Sequence, residues 1–218
     1  MLTPKQTITA ISNITAKLIT AGICDDQNFV AEVKTHNETH INYSGFSDVS
    51  IALKNVEYSD IYNYLSAGRQ FNYKLIDGGL IQLLYCFNEK QELIKHRLCY
   101  FPSPDFEAFQ NDPEIYLDES IYYSDIVLKS ILPVPVRFDY DPANFEELKH
   151  PASHLSLGQY KNCRIPIVAP ICPANFINFI LRSFYCTAKL ELPLDFPYIL
   201  MEETIVEKEK NGIHLSVI

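Results

Sequence analysis

An α+β fold, a mostly antiparallel sheet of hairpins packed by an N-terminal helix and a buried C-terminal helix, is predicted by three features. Two long runs of strand-forming residues, Leu80 to Phe87 and Leu93 to Phe101, flank the turn Asn88-Glu89-Lys90-Gln91. Apolar residues recur at helical spacing near the start of the chain and again after Pro173. Aromatic content comes from 14 Tyr and 13 Phe with no Trp, a usage that favours pleated, half-buried surfaces over a helical bundle.

From Thr3 to Ala21, Ile8, Ile11, Ile14 and Leu18 line one helical face; Thr3-Pro4 followed by Gln6 reads as a capped start, and Gly22 as the stop. Residues 29–33 and 40–43 read as a hairpin around Thr35-His36-Asn37-Glu38. Ile61, Tyr64 and Leu65 form a short helical pattern that Gly68 breaks. The long hairpin follows Asp77-Gly78-Gly79 and ends at Pro102-Ser103-Pro104. Asp112-Pro113-Glu114 predicts a helix running to Lys129. From Pro133 to Asp141, Val134, Val136, Phe138 and Tyr140 alternate with Arg137, Asp139 and Asp141, a strand that turns its charges to one face.

Pro142 to Lys149 reads as a helical turn ended by Pro151, and Ser153 to Leu157 as a strand with His154 and Ser156 on one face. Pro173 opens a helix with Phe176, Ile177, Ile180, Leu181 and Phe184 inward and Asn175, Asn178 and Arg182 on a narrow polar side. The tail around Asn211-Gly212 reads as an edge hairpin. With no repeat, low-complexity tract or linker, residues 1–218 are expected to form one domain.

A formal net charge of −9 and a pI near 5.1 disfavour extended binding to duplex DNA or acidic membranes, so any nucleic-acid contact is local and a protein partner fits the surface better. The six cysteines show no C-x-x-C spacing and sit among apolar neighbours, as reduced core thiols do; with no secretory start or long apolar run, a soluble cytoplasmic protein is expected, with no membrane association. Phosphate-cradling glycine loops, the dinucleotide fingerprint, H-E-x-x-H and G-x-S-x-G are all absent.

Arg137, Asp139, Asp141, His150, His154 and Arg164 instead gather within 28 positions. Asp139, Asp141, His150 and His154 offer carboxylate and imidazole donors for a divalent transition metal. Alternatively His150 and His154 serve as acid and base while Arg137 or Arg164 stabilises an anionic transition state, the layout of metal-independent phosphodiester cleavage. A third reading is structural: Arg137 pairs with Asp139 or Asp141, and the histidines hydrogen-bond turns, forming a polar seam. The start of the Pro173 helix, with Arg164 near it in sequence, is a weaker anion candidate. His36 and His40, four apart in a turn-rich hairpin, are expected to be solvent-exposed and not metal ligands.

Arg137-Phe-Asp-Tyr-Asp141, His150-Pro-Ala-Ser-His154, Cys163-Arg-Ile-Pro166 and the Pro173, Phe176, Phe179-Ile180 and Phe184-Tyr185 positions resemble an uncharacterised bacterial family, domain of unknown function 2290. The resemblance is strongest from 133 to 185. It implies a bacterial accessory or mobile-locus protein, with a defence or toxin-like role by association. The H-P-x-x-H strand is also similar to the His-x-His of small bacterial toxins, although Ser156 stands where the second histidine would be. Two functions follow as expectations: a hydrolase, nuclease above all, or a non-catalytic partner or sensor subunit of a protein complex.

Overall fold

A computed structural model describes residues 2–47, 56–104, 134–160, 162–185 and 196–216. The helix expected from Asp112 to Lys129, and Cys186, lie outside them. In chain order the elements are α1 (Pro4–Thr20), β1 (Cys24–Gln27), β2 (Val30–Lys34), β3 (Glu38–Tyr43), α2 (Tyr58–Ala67), β4 (Tyr73–Leu75), β5 (Leu80–Asn88), β6 (Leu93–Phe101), β7 (Val136–Tyr140), a 3-10 turn (Pro142–Asn144), β8 (Ser153–Leu157), β9 (Ile165–Pro166), α3 (Pro173–Phe184) and α4 (Glu207–Lys210). The fold is α+β: among the described residues four helices accompany one nine-stranded sheet whose strand pairs are all antiparallel.

β5 is the axis of the sheet. On one side it pairs along its length with β6, and the order continues through β7 and β8 to β9. Its other side forks: β3 takes the end near Cys86, with β2 outside it, and β4 takes the end near Leu80, with β1 outside it. The outer strands are short or irregular. β9 is an Ile-Pro dipeptide, β1 carries a register shift between Cys24 and Asp26, and β2 bears a Lys34–Glu32 ion pair of 3.4 Å.

Strand alternation sorts the two faces. Ile41, Tyr85, Leu83, Leu98, Phe138 and Leu155 look into the main core, where Ile11, Ile14 and Leu18 of α1 and Phe176, Ile177, Ile180 and Leu181 of α3 cover them. Each such side chain contributes about 1.5–3 kcal/mol on burial. Thr3 caps α1 through a capping box with Gln6, as its sequence predicts. On the other face, α2 covers only one end, placing Ile61, Tyr62 and Leu65 against Leu80, Cys99 and Phe101. Beyond α2 that face carries Arg97, Arg137, Asp139 and His154.

The turn before β5 is pinned from α3. Asp77, buried, accepts hydrogen bonds from Gly79 N at 2.9 Å and from the Tyr185 hydroxyl at 2.6 Å, and Tyr185 meets Tyr100 at 3.1 Å. A Cβ at position 79 would lie 2.9 Å from both the Tyr100 ring and the Tyr185 hydroxyl, so this approach requires glycine.

The tail departs from its expected hairpin. Glu209 is buried and accepts from Val206 N and Leu148 N at 3.3 and 3.4 Å, which winds Glu207–Lys210 into a turn of helix. Asn211-Gly212 then ends that helix, and Leu215 returns as a parallel bridge to Ile167. No helix among the described residues is long and apolar enough to cross a membrane.

Candidate functional site

Three neighbouring strands build a charged row on the face turned away from α1 and α3. The register sets Arg97 of β6 opposite Asp139 of β7, and Asp139 opposite His154 of β8. Arg137, two residues before Asp139 on β7, shares its face. Arg97 Nε donates to Asp139 Oδ1 at 3.1 Å and Arg137 Nε donates to Oδ2 at 2.5 Å, while His154 Nε2 stands 3.7 Å from Oδ2. One buried carboxylate therefore holds two guanidinium groups. Burial alone would push the Asp139 carboxyl up, but the charges of Arg137 and Arg97, and then His154, hold it below the usual carboxylate range.

Each arginine spends only its Nε on this clamp. No hydrogen bond among the described residues engages the terminal Nη groups of Arg97 or Arg137. Both arginines line a cavity of about 60 Å³ between α2 and the sheet, whose other walls include Gln82, Ile61, Leu65 and Leu84. Cys99 also lines it, but burial pushes its thiol up to about 12 against the pull of Arg137 and Arg97. It stays protonated and unreactive at neutral pH.

The histidines lie beside the clamp. His154 is 1% exposed and its Nδ1–H donates to the Pro151 carbonyl at 2.8 Å. Burial lowers its pKa; the Pro151 carbonyl and Asp139 oppose the shift, and His150 and Arg164 add to it. The His150 ring lies 4.9 Å from that of His154, and its Nδ1 meets the Asn144 carbonyl at 2.5 Å. Asp141 turns to Lys95 Nζ at 3.3 Å and Asn144 Nδ2 at 2.9 Å.

Of the residues singled out from sequence, Arg137, Asp139 and His154 are in contact and His150 adjoins them. Arg164, half-buried, acts on His154 through its charge. Arg137 pairs with Asp139 and both imidazoles bond turn carbonyls, the arrangement of the polar-seam reading. Asp139, Asp141, His150 and His154 do not form a group of mutually close donor atoms, and both Asp139 oxygens already receive guanidinium protons. The start of α3 is buried at Pro173 and Ala174.

Two features escaped the sequence reading. Arg97 is the second half of the clamp, and alternation along Lys95-His96-Arg97 in the expected hairpin was its signal. Glu38, His40 and Cys86 bring a carboxylate oxygen, an imidazole nitrogen and a thiol sulfur within 4.8 Å of one another. His36 is exposed as expected, whereas His40 is only partly so.

Fold and site together define an α+β protein whose antiparallel sheet carries a carboxylate-clamped arginine pair on the face turned away from α1 and α3. The chain matches the family described as uncharacterized conserved protein (DUF2290) over residues 23–217, and it belongs to that family. No curated protein and no solved structure matches it.

Proposed function

We propose that the protein binds a phosphate-type anion, carried on a molecule with an apolar or ring-shaped part, in the cavity between α2 and the sheet. The observation that carries this reading is the Arg97–Asp139–Arg137 clamp: a buried carboxylate fixes two guanidinium groups by their Nε atoms, and beside a cavity their Nη groups take no hydrogen bond among the described residues. A planar guanidinium matches phosphate oxygens two at a time, and fixing it beforehand reduces the ordering lost on binding. Two arginines against one aspartate leave a local positive charge in a chain of net charge −9, which favours anions at this place. Ile61, Leu65 and Leu84 supply apolar wall for the rest of the ligand.

A second reading, phosphodiester hydrolysis of the nuclease type, is favoured by the His150 and His154 rings 4.9 Å apart beside the same carboxylate. His150 is then the proton-transfer group, since His154 is buried and acts by positioning; Arg137 and Arg164 stabilise developing negative charge.

Calorimetry with phenyl phosphate tests the binding reading. Arg97→Gln and Arg137→Gln are each expected to weaken binding by about tenfold or more, the loss of a charge-assisted hydrogen bond. Equal affinity in the parent and both variants, or no binding by the parent, overturns it. Turnover of bis(p-nitrophenyl) phosphate that is lost in His150→Ala selects the hydrolase; binding without turnover leaves a receptor.

A further inference from the structure

At the other end of the same sheet face, β3 and β5 bring together three donors of different softness. The register places His40 directly opposite Cys86, and Glu38, two residues before His40, points to the same side. His40 Nε2 lies 3.0 Å from Glu38 Oε2, and Cys86 Sγ lies 3.5 Å from that same oxygen. Tetrahedral zinc with bonds of about 2.0–2.3 Å separates its donors by about 3.3–3.7 Å, so these three atoms need to move only about 1 Å or less to share an ion.

The backbone, not a flexible loop, sets this spacing, because all three residues belong to paired strands. A half-exposed histidine–glutamate pair adds only about 0–1 kcal/mol to stability, so the fold does not depend on the arrangement. Cys86 is 9% exposed, whereas the Glu38 and His40 side chains are 43% and 38% exposed, so the sulfur forms the floor and solvent reaches the remaining side. The cation nearest in register, Lys95 opposite Cys86 on β6, directs its ammonium to Asp141 at 3.3 Å.

We infer that Glu38, His40 and Cys86 form a site for one zinc-class divalent metal ion, with a fourth coordination position left to water. Thiolate and imidazole select a borderline transition metal over magnesium or calcium, and three protein ligands with an open position differ from a closed structural site. Without the ion, burial and then Glu38 keep the thiol protonated; binding replaces that proton, which passes to solvent. The inference is independent of the anion site.

Cobalt(II) titration of the reduced, full-length, metal-stripped protein tests it. One equivalent is expected to produce a thiolate-to-cobalt charge-transfer band that one equivalent of zinc abolishes. Cys86→Ser removes the band, and His40→Gln, a substitution at a partly exposed position, weakens cobalt binding by at least about tenfold. Arg137→Gln leaves the band unchanged, so failure here is separable from failure of the anion reading. No band in the parent protein, a band that survives Cys86→Ser, or unaltered affinity in a folded His40→Gln overturns the proposal.

Discussion

The backbone N–H of Ile171 donates to Nε2 of His96 at 3.0 Å, so the segment leading into α3 is tied to β6 through the unprotonated nitrogen of a buried imidazole. Burial pulls His96 down to about 4, although Asp139 opposes the shift. Above about pH 6.5 both folded and unfolded states hold this ring neutral, and its contribution is complete. Between about 6.5 and 4 only the unfolded chain takes up the proton, so stability falls as pH falls, by on the order of 3 kcal/mol at the lower limit. Urea unfolding at several pH values through this window, with His96→Gln beside the parent, is expected to show a shallower slope in the variant. Identical slopes would count against it. His154, shifted in the same direction, is unchanged in both proteins.

Asp139→Asn is expected to destabilise the protein by about 3 kcal/mol, since it leaves two guanidinium groups facing one another without their shared countercharge. Chemical denaturation reads this directly. The carboxyl of Asp139 is depressed, so its contribution is whole above the ordinary carboxylate range, about 4, and is lost as pH falls through its lower folded value. A variant as stable as the parent would mean that the clamp adds nothing to the fold.

The long hairpin, α1 and α3 were legible because each carries its own periodicity: Leu83, Tyr85 and Phe87 inward along β5, Ile11, Ile14 and Leu18 along α1, and Phe176, Ile177, Ile180 and Leu181 along α3. β1, β4 and β9 are four, three and two residues long, too short for any local pattern, and exist because longer strands pair with them. The charged face of β7 followed from Arg137, Asp139 and Asp141 alternating with apolar residues. Alternation gives the face of Arg97 on β6, but its pairing with Asp139 needed the β6–β7 register. His40 and Cys86 are likewise neighbours only through the pairing of β3 with β5. In the tail, Asn-Gly suits either a hairpin or a helix end, and the buried Glu209 decided for the helix.

Tyr185→Phe removes the hydroxyl that reaches Asp77 and Tyr100. The loss of a buried hydrogen bond predicts a cost of about 2 kcal/mol and a fall in Tm of roughly 4–8 °C. Differential scanning calorimetry checks it; an unchanged Tm would show that Asp77 is satisfied by Gly79 alone.

Gly79→Ala is expected to cost at least as much, about 2 kcal/mol or more, because its methyl group would meet the Tyr100 ring and the Tyr185 hydroxyl at 2.9 Å. In the Tyr185→Phe background the penalty should shrink, since one of the two obstructing atoms has gone, and a double-mutant cycle measures the difference. Strict additivity would argue against a common cause.

The sheet's margins have a colloidal consequence. Proline at the end of β9 lacks a donor, the displaced register in β1 breaks the run of evenly spaced backbone groups, and the charges of β2 resist close stacking. A foreign strand seeking main-chain partners finds little continuous template on any of the three, which protects a sheet this wide from fibrillar growth.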